Sequence, residues 1–209
     1  MRQLFLGIVT ALTLTAAQSA QAACPAAGFT AAQKKPIPTK NINQNLFSDA
    51  IARAANAARC KAGKALIKDT APLMKVAATH SAWMARNRKL SHQSTVPGQA
   101  SFSARARSTG LRYGTAAENV AAYPRFRFGA GAFKIKSASA CRFTTQSGQA
   151  IRTHSYASLA QAVVTGWLGS PGHRRNLLNR KMDKSGAGIA FDAKADYCGQ
   201  FFVTQEYMG

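Results

Sequence analysis

The sequence predicts an α+β fold, on three observations. Five segments carry helical signals, the clearest strand-forming runs come at the C-terminal end, and the two do not alternate as in a parallel βαβ sheet. The 209 residues are 46% hydrophobic, which suits one domain with a real core and excludes wholesale disorder. With 16 Gly, 4 Cys, no sustained heptads and no internal repeat, collagen-like, coiled-coil and disulfide-knot chains are excluded as well.

Residues 1–23 read as an export signal. Arg2 is followed by an apolar run from Leu4 to Ala17 and then by Ala20-Gln21-Ala22, the A-x-A pattern of a Sec-type cleavage site. A membrane anchor needs about 18–20 apolar residues, and this run is shorter and interrupted by Thr10, Thr13 and Thr15. A lipid anchor on Cys24 is the alternative, although Gln21 stands where such signals prefer Leu. No later stretch is apolar enough to span a bilayer. The chain is therefore expected to be secreted or periplasmic, and monomeric.

Export sets how Cys24, Cys60, Cys141 and Cys198 are read. Widely spaced cysteines, even in number and without C-x-x-C, favour two disulfides in an oxidising compartment over a metal site. Three pairings are open. We favour Cys24–Cys60, which ties the N-terminal arm to the first helix, with Cys141–Cys198.

Residues 24–45, rich in Ala, Lys, Pro, Thr and Asn without period, read as an arm. From Leu46 the pattern turns helical, with Phe47, Ile51, Ala54, Ala55 and Ala58 on one face, and Lys61-Ala62-Gly63 ends it. A second helix opens at Asp69/Thr70 with Pro72 in its first turn, and Leu73, Val76, Ala77, His80 and Met84 form its stripe. A short third helix fits Ser101–Ser108, stopped by Gly110. Ser158 is expected to cap a fourth helix with Leu159, Ala162, Val163 and Trp167 inward. Ser170-Pro171 starts a fifth that runs to about Leu178.

Gly188–Phe191 and Gln200–Tyr207 have strand composition. Between the third and fourth helices lies a different texture, residues 123–155. Arg125–Phe128 and Phe133–Lys136 alternate basic and apolar around Gly129-Ala130-Gly131, which predicts a hairpin. Cys141–Thr153 predicts a second, turning at Ser147-Gly148.

The charge balance is extreme: 28 Lys+Arg against 7 Asp+Glu, a formal net charge of +21, of which the leader holds only Arg2. Such a surface favours anions without naming one. It also makes the acids conspicuous, for Glu118 is the only carboxylate between Asp69 and Asp183 and sits among apolar neighbours in Ala117-Glu118-Asn119-Val120-Ala121. Either it has a specific partner in a cleft, or it is a buried pin bonded to backbone N–H groups. Of the histidines, His80 falls on an apolar helix stripe and reads as a core residue, and His154 at the hairpin exit reads as solvated or interfacial. His92 follows the second helix and His173 lies in the first turn of the fifth. Two imidazoles, one carboxylate and a water form an adequate set for Zn²⁺ or another divalent metal, if the fold gathers them.

Other chemistries fail sooner. Leu168-Gly169-Ser170-Pro171-Gly172 is no nucleophile elbow, because Leu168 stands where Gly is needed and a helix precedes it. There is no P-loop, G-x-G-x-x-G or H-E-x-x-H. Glycoside hydrolysis needs two acids in one cleft, and only Glu118 is suitably placed.

Asn56-x-x-Arg59, an Ala-rich second helix ending in Leu90-Ser91-His92, Glu118-Asn119-Val120, and Trp167-x-x-Ser170-Pro171-Gly172-His173-Arg174-x-Asn176-Leu177-Leu178 occur in order. Gly186-x-Gly188 and a terminal strand with Thr204-Gln205 complete the set. Together, over roughly residues 46–206, they resemble the CAP superfamily of cysteine-rich secretory, antigen 5 and pathogenesis-related 1 proteins (SCP domains), in its bacterial branch. The resemblance implies a three-layer α-β-α sandwich, here with a hairpin insertion at 123–155. It also implies a cleft that binds divalent metal in some members, carried here by His92, Glu118 and His173. Animal members place a second glutamate three residues after the tryptophan, where this chain has Ser170. That departure weakens both a metal site and a general base.

Two functions are therefore expected to compete. One is a non-catalytic binding module that uses the His/Glu cleft and a basic surface of Arg125, Arg127, Lys134, Lys136, Arg142 and Arg152. Its partner would be an anionic polymer, lipid or other envelope component, without specific nucleic-acid recognition. The other is a metal-assisted, peptidase-like hydrolase with His92 and His173 as ligands and Glu118 as ligand or base. Sterol or lipid carriage, known among relatives, leaves no readable mark.

Overall fold

The structure, a computed structural model, describes Cys24 and residues 27–209, so the expected leader lies outside the described residues. Helix α1 (Gln44–Lys61) starts ahead of its apolar stripe because its cap sets the boundary, the Asn43 side chain accepting from Leu46 N at 3.0 Å. Helix α2 (Ala71–Asn87) follows Thr70 with Pro72 in its first turn, and α3 (Phe102–Ser108) is capped by Ser101, both as expected. Helix α4 (Tyr156–Gly169) begins earlier than the sequence suggested. Its cap is Ser155, and Ser158 occupies the third helical position, where it completes a reciprocal capping box. Helix α5 (Pro171–Leu177) is the short segment expected after Ser170.

A four-stranded sheet lies between these helices. It contains β1 (Lys68–Asp69), β2 (Ala116–Pro124), β5 (Lys184–Asp192) and β6 (Gln200–Met208) in the order β1-β5-β6-β2, with only β1 parallel to its neighbour. Strand β2 was not foreseen. Its Ala-rich run has little intrinsic strand preference, and pairing along the whole of β6, from Ala116 opposite Met208 to Pro124 opposite Gln200, imposes the conformation. Helices α2 and α3 cover one face and α1, α4 and α5 the other. Phe201, Val203 and Tyr207 point to the α1/α4 side, where they join Phe47, Ile51, Leu159, Val163 and Trp167 in the main core. Phe202 and Met208 point to the α2/α3 side. The three layers match the α-β-α sandwich the sequence implied.

Two small residues set how close the layers come. A Cβ on Gly188 would lie 2.1 Å from Ala78 N, and one on Gly186 2.1 Å from Met74 N, so α2 rests directly on the β5 backbone. The other edge of β5 is closed by side chains from α1. Gln44 both donates to Ile189 O (2.9 Å) and accepts from Ile189 N (3.0 Å), and Ser48 Oγ accepts from Ala187 N. The Asn56-x-x-Arg59 pair is likewise structural. Asn56 bonds both backbone groups of Ile67, while the buried Arg59 donates to the carbonyls of Ala65, Leu177, Asn179 and Met182.

The insert differs in register from expectation. The hairpin forms between β3 (Phe133–Ser137) and β4 (Arg142–Thr145), so Arg125–Phe128 is not its first arm. Phe126 instead bridges to Thr153 and packs edge-on to Phe143 at 4.9 Å. The turn at Ser147-Gly148 is present, with Gly148 N donating to Thr145 O. His154, expected at a solvated or interfacial position, is buried. Its backbone is held by Arg125 and Ile37, its Nδ1 lies 3.1 Å from Ser158 Oγ, and burial with the nearby Arg127 charge pushes its pKa down to about 4.

The disulfides are Cys24–Cys60 and Cys141–Cys198. The first ties the arm to α1, and the second ties the hairpin to the β5–β6 loop. Among the described residues no helix is long and apolar enough to cross a membrane.

Candidate functional site

Because β2 is an edge strand, its alternate residues open onto both faces near one border of the sheet. Glu118 points to the α2/α3 side and Asn119 to the α5 side. Glu118 is 5% exposed, and among the described residues its carboxylate oxygens bond to side chains and not to a backbone N–H. Oε1 accepts from His92 Nδ1 at 2.6 Å. Oε2 accepts from Arg105, at 3.0 Å from Nε and 2.5 Å from Nη2. The fully buried Arg105 also donates to Gln99 O (3.1 Å) and His92 O (2.8 Å), which ties the segment after α2 to α3 and the sheet.

A second carboxylate joins this cluster. Glu206 is the cross-strand partner of Glu118, is 1% exposed, and lies 3.2 Å from Arg105 Nε. Burial and the neighbouring Glu118 charge raise its pKa well above the ordinary carboxylate value, against the pull of Arg105. Burial acts on Glu118 in the same direction. Hydrogen bonds from His92 and Glu206 and the Arg105 charge outweigh it and hold that carboxyl below its usual range. One buried cation thus serves two acids, whose pKa values are pushed apart, that of Glu206 upward and that of Glu118 downward.

His92 keeps an exposed side chain, and its hydrogen bond to Glu118 raises its pKa despite partial burial. His80, on α2, is buried, stacked on Trp83 and bonded through Nε2 to Ser91 O at 2.7 Å, and burial lowers its pKa. His173 approaches from the other face. Its carbonyl accepts from Asn119 Nδ2 (3.1 Å) and its ring lies 6.5 Å from that of Trp167. Burial, then the charge of His92, lowers its pKa. Asn176 completes the seam by donating to Glu118 O and Asn119 Oδ1.

The fold therefore brings His92 into contact with Glu118 and sets His173 near them around the strand edge. Sequence reasoning missed Arg105 and Glu206, and it quoted Asn176 within the Trp167–Leu178 motif without giving it a role. Arg105 looked like one more cation among many. Glu206 did carry a signal, as an acid within an apolar strand of a very basic chain.

This donor set does not fit a divalent-metal centre. A catalytic zinc takes three protein ligands and an open position. Here Glu118 is engaged on both oxygens, one of them by a resident guanidinium, the second acid Glu206 is buried against that same guanidinium, and His80 Nε2 is bonded to Ser91 O. The imidazoles of His92 and His173 remain. Among the described residues no group of three or more His, Cys, Asp or Glu side chains is arranged to hold a metal ion. Nor do five cavities of about 420–660 Å³ have His92, Glu118 or His173 in their walls.

The six cations of the surface candidate lie on the insert. Arg127, Lys134, Lys136, Arg142 and Arg152 are exposed. Arg125 is half-buried, its guanidinium 5.5 Å from the Phe126 ring centre. Beneath them Phe126, Phe128, Phe133, Phe143 and Tyr197 form one aromatic cluster, with centroid separations from 4.4 Å (Phe128–Phe133) to 6.2 Å (Phe143–Tyr197).

A family model, that of the CAP cysteine-rich secretory protein family, matches residues 52–207. Among solved structures, an extracellular protein containing an SCP domain from Bacillus anthracis aligns with a TM-score of 0.52 at 23% identity, over 78% of this chain and 40% of that one. An outer surface protein from Borrelia burgdorferi aligns at 0.46 and 21% identity, over 84% and 98% of the two chains. A cysteine-rich secretory protein from Staphylococcus aureus aligns at 0.42 and 17%, over 82% and 40%. At such identities the Bacillus likeness speaks for the fold alone, and this chain spans about 40% of that protein's length. No curated protein matches the chain.

Proposed function

Since the chain belongs to the CAP cysteine-rich secretory protein family, we propose that it is an exported binding module. Its ligand is an anionic or lipidic component of the envelope or extracellular space, held on the basic, aromatic-rich face of the insert. One observation carries this reading. The cations from Arg125 to Arg152 occupy a stretch without a single acid, laid over an aromatic cluster and clamped to the sheet by Cys141–Cys198. Export is supported by the leader-like N-terminus and by the two disulfides.

In this reading the Glu118 cluster is chiefly a pin that holds α3 and the segment after α2 against the sheet. The test must separate the insert from bulk charge. Replacing Lys134, Lys136, Arg142 and Arg152 by Gln is compared with replacing Lys61, Lys75, Lys89 and Arg175, which removes the same charge elsewhere. Binding of an anionic envelope polymer or lipid should collapse only in the first variant. Equal loss in both would refute the reading.

A second reading, hydrolysis, has one observation in its favour. An imidazole oriented by a buried carboxylate and open at its other edge, as His92 is, has the geometry of a general base. It predicts a hydrolytic activity abolished by His92→Ala and indifferent to chelators.

A further inference from the structure

We infer that the β3–β4 hairpin is a docking surface for an anionic lipid bilayer. This rests on the binding-module reading and names the ligand class within it. Four of its features point to a membrane interface and not to a soluble polyanion.

The apolar residues at the surface are the first. Ile135 is 53% and Tyr197 48% exposed, in a part of the protein whose other rings are packed on one another. Ile135 pairs with Phe143 across the hairpin, so it stands at the rim of the aromatic cluster. A soluble polyanion has no use for an exposed isoleucine, whereas a bilayer buries it.

The arrangement of charge is the second. Lys134 and Lys136 flank Ile135 directly, and Arg142 pairs with Ser137 at the far end of the same hairpin. Long cationic side chains on the strand that carries an exposed isoleucine can keep their charges at headgroup level while the isoleucine inserts. Asp196, beside Tyr197, is the one exposed acid nearby in sequence; Asp192 is buried.

Third, an apolar-walled cavity of about 500 Å³ opens beside the hairpin, lined by Phe143, Ala150 and Ile151 with Lys136 and Arg142 among its walls. It offers space for part of a lipid next to two cations. Fourth, the surface is pre-formed. Cys141–Cys198 and the packing of Tyr197 on Phe133 (5.2 Å) and Phe128 (5.8 Å) fix the hairpin before any ligand arrives.

The experiment is co-sedimentation of the mature, disulfide-bonded protein with phosphatidylcholine vesicles, with and without phosphatidylglycerol. Ile135→Ser tests the exposed isoleucine without changing charge. Leu66→Ser, at another exposed apolar side chain (59%), is the control. Matching thermal melts establish that both variants fold. Wild type and Leu66→Ser should bind the anionic vesicles and leave the neutral ones, while Ile135→Ser binds the anionic vesicles about tenfold more weakly. Raising salt should weaken wild-type binding yet leave a residue that Ile135→Ser lacks. Equal binding by the two variants overturns bilayer docking but leaves the binding module standing, as does a wild type that ignores vesicles and binds a soluble polyanion through the insert. If neutralising the insert cations changes neither vesicle nor polyanion binding, the binding-module reading falls as well.

Discussion

Glu118 and Glu206 face each other directly across β2 and β6, and the guanidinium of Arg105 lies within 3.2 Å of both. Two buried carboxylates share one buried cation, and burial together with the Glu118 charge raises the pKa of Glu206. The arrangement makes the two acids interchangeable in part: either can pair with Arg105 provided the other is neutral.

The first prediction concerns that exchange. Glu206→Gln imitates the protonated acid and should be tolerated, and Glu118→Gln should be partly compensated because Glu206 then ionises beside Arg105. The double variant strands the guanidinium and should cost about 3–5 kcal/mol, more than the two single changes added together. The raised pKa of Glu206 gives a pH signature. Its contribution to stability is fully present below the unfolded carboxyl value, about 4.3, and fades as pH rises through the folded value. The stability of wild type minus that of Glu206→Gln should therefore fall from acid toward neutral pH in urea titrations. A flat difference would show that the pKa of Glu206 is not raised.

Arg105 is the second. Its fork reaches Glu118, Glu206, Gln99 O and His92 O at once, a geometry that a lysine ammonium does not reproduce. Arg105→Lys and Arg105→Met should both destabilise, the latter by about 3–5 kcal/mol. Both should also raise amide exchange over residues 88–101 ahead of the rest of the protein. Zinc should leave the wild-type melting temperature unchanged. Stoichiometric zinc on wild type, lost in His173→Ala, would contradict our account of the donor set.

Gly188 provides the third. With a Cβ 2.1 Å from the α2 backbone, Gly188→Ala must push α2 off the sheet. The expected cost is about 1–3 kcal/mol or more by chemical denaturation. Gly169→Ala, where a Cβ meets nothing within 4 Å, is the control and should be nearly neutral.

The fourth separates the two disulfides. Their sequence separations are 36 and 57 residues, so loop-closure entropy assigns each about 4 kcal/mol. Their local effects should differ. Cys141→Ser with Cys198→Ser should loosen the hairpin and Tyr197 and weaken ligand binding. Cys24→Ser with Cys60→Ser should free the start of the arm, ahead of the buried Gln33 and Ile37, and leave the insert intact. Denaturant unfolding and limited proteolysis distinguish these outcomes.

The local chemistry of the chain determined much of this protein. Five helices were legible from apolar stripes and stop signals, because caps, Pro at a first turn and Gly after a last turn act within a few residues. The compartment expected from the leader favoured two disulfides, and the pairing favoured among three proved to be the one formed. Glu118 stood out by counting acids, and His92 and His173 followed from the family resemblance. What only the tertiary structure decided depends on partners distant in sequence. Strand β2 exists because β6 offers it a complete ladder, not because alanines prefer strands. The hairpin took Arg142–Thr145 in place of Arg125–Phe128, because cross-strand packing and not local alternation selects a register. Glu206 became part of the site through the β2–β6 pairing and Arg105 through the packing of α3 beside that sheet, Arg105 standing 13 residues from Glu118 and 101 from Glu206 in the chain. Burial then settled the electrostatics. A carboxylate's charge state depends on which cation is folded against it, and no window of sequence contains that information.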